Sequence, residues 1–137
     1  MDSFTGSTPN GDAMSKKLLL ADDDCSAIAA VALFFESQQF EVQTAPDGIA
    51  ALHLCAAWHP DAAFLDIDMP GASGYEVARE IRHMVQAGKR TLLVAVTGER
   101  PSDEVAGKCH AAGFDLYVAK PADLNALLHF VIQRISR

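Results

Sequence analysis

The sequence predicts an α/β protein built on an open, doubly wound parallel sheet with helices on both faces. Three observations carry this prediction. From residue 16 onward, five short apolar runs alternate with five helical stretches. The runs are apolar throughout rather than at every second position, which is the pattern of strands covered on both faces. And a chain of 137 residues is too short for a closed eight-stranded barrel with its outer helices, which takes ~250. The connections between parallel strands are expected to be right-handed.

The elements follow in chain order. Residues 1–15, MDSFTGSTPNGDAMS, are rich in Ser, Thr, Gly, Pro and Asn and offer little to bury. They are expected to form a disordered leader or linker ahead of one folded domain, residues 16–137. Leu18–Ala21 is the first strand and Cys25–Gln38 a helix that is apolar on most sides. Phe40–Ala45 is the second strand. Pro46-Asp47-Gly48 opens a helix to about Trp58, which His59-Pro60 ends. Ala62–Asp66 is the third strand, followed by a turn from Met69 to Gly74. In the helix Tyr75–Ala87, Val77, Ile81, Met84 and Val85 share one face, and Glu76, Arg79, Glu80 and Arg82 the other. TLLVAV, Thr91–Val96, is the most strand-like run in the chain. Ser102 caps a helix to Ala112, Leu116–Val118 is a short last strand, and a helix follows Pro121. Its Leu124, Leu127, Leu128, Val131 and Ile135 recur at helical spacing.

Composition narrows the function. No apolar run approaches the ~20 residues of a membrane span, and no secretory signal pattern precedes the domain. The net charge of −7 argues against direct binding of nucleic acid or an anionic membrane. Cys25, Cys55 and Cys109 are odd in number, scattered, and set in helical stretches. They are expected to be reduced and buried, which points to the cytoplasm. His53, His59, His83, His110 and His129 show no pairing at helical spacing, so a transition-metal site is not expected.

In doubly wound sheets, ligands bind beyond the carboxyl ends of the strands. The first strand delivers Asp22, Asp23 and Asp24 there, and the third delivers Asp66 with Asp68 close behind. Thr97 ends the fourth strand and Lys120-Pro121 follows the fifth. Asp24 is expected to do no more than cap the helix after it. The other acids repel one another at the end of a buried strand. A hard divalent cation such as Mg²⁺ relieves that repulsion, since it takes carboxylates, waters and phosphate oxygens. A phosphoryl group suits the remainder, because its oxygens call for a metal, a lysine and a hydroxyl donor.

This set resembles the receiver domain of two-component response regulators: Asp22-Asp23, Asp66 inside FLDIDMPGASGYE, Thr97 after LLVAV, and Lys120-Pro121. The resemblance covers residues 16–137. It implies a flavodoxin-like sheet in the order 2-1-3-4-5. It also implies that Asp66 is a phosphoacceptor, charged from a phosphohistidine on a sensor histidine kinase or histidine phosphotransfer protein. Asp22 and Asp23 would position Mg²⁺ together with Asp66, Asp23 being the more direct ligand of the pair, and Asp68 would offer its backbone carbonyl. Thr97 and Lys120 would hold phosphoryl oxygens. Tyr117 would be an aromatic switch that turns inward as Thr97 moves, and Pro121 would follow a cis peptide bond. Such a domain catalyses only its own phosphorylation and dephosphorylation, and passes its state to a downstream protein target or a fused module.

Three residues depart from the family's usual pattern. Gly98 stands where Ala is common, Ala122 where Phe commonly follows Lys-Pro, and Gln39 where a helix-ending Gly is usual. Asp68 and Glu99 lie two residues beyond Asp66 and Thr97 and are expected to influence the water that hydrolyses the phosphate. The helix SDEVAGKCHAAG is weak: Gly107 sits mid-helix, and the apolar stripe is Val105, Cys109 and Ala112. With the last strand and last helix it is the expected output surface. Two other readings stay open. One is a pseudo-receiver, an interaction module that is never phosphorylated. The other is a haloacid-dehalogenase-type phosphatase using Asp66-Ile67-Asp68, although that family carries its DxD on the first strand.

Overall fold

The computed structural model describes residues 15–84 and 90–135. The strands are β1 (Lys16–Ala21), β2 (Phe40–Ala45), β3 (Ala62–Asp66), β4 (Leu92–Thr97) and β5 (Leu116–Ala119). The helices are α1 (Cys25–Ser37), α2 (Gly48–Trp58), α3 (Gly74–His83), α4 (Asp103–Ala112) and α5 (Leu124–Ile135). All strand pairs are parallel and the order is β2-β1-β3-β4-β5. This is the predicted doubly wound sheet.

Burial on both faces explains the unbroken apolar runs. Alternate side chains of β1 point to opposite sides of the pleat. Leu18 and Leu20 join Phe35, Phe64, Val94, Leu127 and Val131 beneath α1 and α5. Leu19 and Ala21 join Ala51, Cys55, Val77, Ile81, Val105 and Cys109 beneath α2, α3 and α4. On the first face Phe35 is a hub, meeting Phe34, Phe40 and Phe64 edge-on at 5.2, 5.3 and 5.4 Å between ring centroids. Because β1 lies between β2 and β3, the strand order reverses beside it. The crevice at the carboxyl ends of β1 and β3 is where such a sheet takes its ligand.

Local chemistry sets the boundaries. Asp24, Asp47, Ser73 and Ser102 cap α1 to α4, each accepting backbone N–H groups, and Ser73 and Glu76 form a reciprocal capping box. His59 ends α2 with φ of 52°, and Gln39 follows α1 with φ of 73°. Both lie in the left-handed region, which costs a non-glycine residue about 1 kcal/mol. β1 begins two residues earlier than the apolar run because Lys17 is anchored. Its N–H donates to Asp61 Oδ2 at 2.8 Å, and its ammonium lies 5.7 Å from the Trp58 ring centroid.

Two expectations are corrected. Cys25 is exposed, whereas Cys55 and Cys109 are buried and free. Cys25 is the first residue of α1 and faces solvent beside its cap, while Phe35 on the same helix fills the core. Arg82 is not on a solvent face. Its Nε donates to Gly113 O at 2.9 Å, Nη1 to Thr91 O at 2.7 Å and Nη2 to Asp115 Oδ2 at 2.9 Å. Asp115, its side chain only 8% exposed, also pairs with Arg90 at 2.8 Å and accepts the Leu93 N–H at 2.9 Å. The group ties α3, the start of β4 and the α4–β5 turn together. α3 reaches only His83, and Val85 and Ala87, placed in this helix from sequence, lie outside the described residues. So does the leader, apart from Ser15.

Candidate functional site

Each site residue sits where a buried strand stops. Beyond β1, the Asp22 N–H donates to Ala45 O at 3.1 Å, extending the β1–β2 ladder by one bond. Asp22 Oδ1 accepts the Asp24 N–H at 2.9 Å. Its other oxygen, Oδ2, accepts from Lys120 Nζ at 2.9 Å. Asp66 is the last residue of β3, in register with Val96. Its Oδ1 accepts the Asp68 N–H at 3.2 Å, and its Oδ2 lies 3.5 Å from Lys120 Nζ. Gly74 makes this placement possible. A Cβ there would stand 2.6 Å from Asp66 O, so only glycine lets α3 start against the back of the Asp66 peptide. Thr97 ends β4 and is fully buried. Thr97 Oγ1 accepts the Glu99 N–H at 3.0 Å, and its carbonyl accepts the Lys120 N–H at 2.8 Å. The Lys120–Pro121 peptide is cis.

The electrostatics are unbalanced. Asp22, Asp23 and Asp66 each offer an oxygen, all within 4.8 Å of one another, with Asp22 and Asp66 buried and Asp23 exposed. Burial, and after it the charge of Asp22, push the Asp66 carboxyl from 3.8 up to about 6, although the Asp68 N–H and Lys120 oppose this. Burial also disfavours the Lys120 ammonium. Its hydrogen bond to Asp22 and the charge of Asp66 outweigh that, and its pKa is raised. One ammonium thus faces three carboxylates. The donor set is entirely oxygen, which suits a hard divalent ion. Asp22, Asp23 and Asp66, whose oxygens already lie within 4.8 Å of one another, are the residues that would hold such an ion.

The chain therefore brings Asp22, Asp23, Asp66 and Lys120 together, with Thr97 on the adjoining strand. Tyr117 stands apart. Its ring packs, half-buried, on the α2–α4 face of the sheet, and its hydroxyl accepts the Ser102 N–H at 3.2 Å. That is the cap residue of α4. Asp68 and Glu99 are exposed on the rim, and their N–H groups are the ones held by Asp66 and Thr97. Sequence reasoning did not find Gly74 or the Tyr117–Ser102 link. The SGYE motif contains the first. The second joins residues 15 apart in the chain and leaves no local pattern.

Comparison with known proteins agrees with this architecture. The family model described as "Response regulator receiver domain" matches residues 18–132. The response regulator MprA of Mycobacterium tuberculosis is 35% identical over 115 residues, which are 84% of this chain and 48% of that protein. The CAI-1 autoinducer sensor kinase/phosphatase CqsS of Vibrio cholerae is 30% identical over 116 residues, 85% of this chain and 17% of that protein. The chain thus spans half or less of the curated relatives named here. Among solved structures, the Vibrio cholerae chemotaxis protein CheY4 superposes with a TM-score of 0.79 at 29% identity, covering 88% of this chain and 98% of the other. A two-component response regulator from Clostridium difficile gives a TM-score of 0.81 at 22% identity, a likeness of fold, covering 90% and 98%. No helix among the described residues is long and apolar enough to cross a membrane. With the family match running from β1 into α5, this chain belongs to the response regulator receiver domains of two-component signalling.

Proposed function

We propose that the domain, residues 16–137, is the phosphoacceptor of a cytoplasmic phosphorelay and takes a phosphoryl group onto Asp66. The donor is a phosphohistidine on a sensor histidine kinase or histidine phosphotransfer protein. The position of Asp66 carries this reading: it is buried at the end of β3, within ion-pair distance of Lys120 and clustered with two further carboxylates. An Asp66 oxygen attacks the phosphorus, and the P–N bond to the donor imidazole breaks. The bonding pair stays on the imidazole nitrogen, and an aspartyl phosphate forms.

Asp22, Asp23, Asp66 and the Asp68 carbonyl are the residues that would hold Mg²⁺, which neutralises charge on the phosphoryl oxygens when bound. Lys120 transfers its ammonium from Asp22 to a phosphoryl oxygen. Thr97 keeps its Oγ1 as an acceptor for Glu99 in the resting state, and its hydroxyl proton is free to turn to a second phosphoryl oxygen. As Thr97 shifts, Tyr117 leaves Ser102 and turns inward. The surface of α4, β5 and α5 then presents the phosphorylated state to a downstream protein or a fused module. Residues 1–15 serve as leader or linker.

Fluorine NMR with Mg²⁺ and beryllofluoride, a phosphoryl mimic, tests the reading. Bound fluoride resonances are expected for the wild type, and none for Asp66→Asn or after EDTA. A wild type that binds Mg²⁺ but no beryllofluoride would favour an interaction module that is never phosphorylated.

A further inference from the structure

A cavity of about 500 Å³ reaches Asp22, the member of the acid cluster that lines it, with Asp23 and Asp66 just beyond its wall. Ile28 and Val31 of α1, Phe64 and Val96 of the sheet, and Ala122 and Leu124 after the cis-proline form much of its wall. Its only charged lining groups are Asp22 and Lys120, which are bonded to each other at 2.9 Å. The charged part is therefore at one place, shared with the site. The size is that of a small-molecule pocket, and an apolar lining with a few convergent polar groups is the usual composition of one. Ala122 helps to leave it open, since an aromatic ring at that position would project from the wall.

We propose that this cavity binds a small amphiphilic cation, with an apolar body among Ile28, Val31, Phe64 and Val96 and an ammonium or guanidinium head on the carboxylates of Asp22, Asp23 and Asp66. Charge decides the head group. Among the described residues the cation that meets these acids is Lys120, which is already engaged by Asp22 and Asp66, so two of the three negative charges remain uncompensated. A carboxylate head would meet like charge at Asp22, and a neutral head would leave the imbalance as it was. A cationic head supplies the missing charge and fills the place of Mg²⁺. Occupancy of the cavity and loading of the metal site then exclude each other, and the ligand suppresses phosphoryl acceptance by Asp66. This inference rests on the three carboxylates being a cation site.

The test uses 3-phenylpropylamine, with 3-phenylpropionate and 3-phenylpropan-1-ol as matched probes, titrated into the ¹⁵N-labelled full chain without Mg²⁺. Saturable shifts at Asp22, Ile28, Val96 and Ala122 are expected for the amine, with affinity at least about tenfold above that of the acid. Added Mg²⁺ should raise the amine's apparent Kd in proportion to its concentration. Ala122→Phe and, separately, Ala27→Leu at another residue of the wall should weaken the amine about tenfold while leaving Mg²⁺ affinity and the dispersion of the spectrum unchanged. Amine and acid binding alike, no saturable amine binding, or an amine affinity indifferent to bound Mg²⁺ would each overturn the proposal. Failure of Mg²⁺ itself to bind would instead remove the reading of the carboxylates, and the amine–acid comparison would still decide the cavity.

Discussion

Asp66→Asn should stabilise this protein in the absence of divalent ions, by an amount that grows from about pH 4 and levels off above about pH 6. The carboxyl titrates near 6 when folded, against 3.8 unperturbed. Between those values the folded state holds more protons than the unfolded chain, so stability falls as pH rises through the interval. Two units are worth roughly 3 kcal/mol. The site opens to solvent at the strand ends and Asp66 shares its charge burden with Asp22, which brings the expected figure to about 2 kcal/mol. Asparagine keeps an oxygen for the Asp68 N–H but carries no charge for Asp22 to oppose. Lys120 remains paired with Asp22. Urea denaturation at a series of pH values in EDTA measures the effect. The variant's midpoint should lie about 1 M above the wild type's at pH 8, for an m-value of roughly 2 kcal/mol/M. The gap should close near pH 4, where the wild-type carboxyl is largely protonated. Taking the difference between the two proteins at each pH cancels the titrating groups that do not interact with Asp66, leaving Asp66 and its neighbours Asp22 and Lys120. A variant equal to or weaker than the wild type at pH 8, or a gap unchanged between pH 4 and 8, would refute the electrostatic account of the site.

Three further outcomes follow from the geometry. Arg82→Ala removes three hydrogen bonds and leaves Asp115 with Arg90 and the Leu93 N–H as partners, so it should cost about 2 kcal/mol in urea denaturation, and Arg82→Lys should recover less than half; a loss below 1 kcal/mol would contradict the bridging role. Asp68→Ala and Glu99→Ala should alter autodephosphorylation more than Mg²⁺ affinity, and identical phosphate lifetimes in all three proteins would count against the rim position of these acids. Tyr117→Phe loses the bond to the α4 cap, and amide exchange at Ser102 and in the first turn of α4 should rise about fivefold, corresponding to ~1 kcal/mol; unchanged exchange would mean the hydroxyl does not hold α4.

Much of this was legible because a strand buried on both faces leaves a plain trace. LLLA, AAFL and LLVAV are apolar without interruption, so the polar residue that ends each one marks the rim of the sheet. Asp22, Asp66 and Thr97 could be placed there before any coordinates. Which of them touch is a different kind of fact. Lys120 meets Asp22 across 98 residues of chain, and nothing local in either segment encodes the pairing. Arg82 misled for the same reason. A helical projection puts it on the charged face of α3, but three of its partners are Gly113, Thr91 and Asp115, which tertiary folding alone brings to that face. Cys25 was misplaced because α1 has so few charged residues that its apolar pattern does not distinguish inside from outside. The cavity beside Asp22 was visible only as an absence, Ala122 in place of a ring.

The role of Asp66 as the phosphoacceptor is tested most directly by an intact-mass spectrum after incubation with acetyl phosphate and Mg²⁺. One added phosphoryl group is expected on the wild type, and none on Asp66→Asn or in the presence of EDTA. An adduct that persists in Asp66→Asn, or a wild type that binds Mg²⁺ yet gains no mass with acetyl phosphate and ignores beryllofluoride, would contradict it.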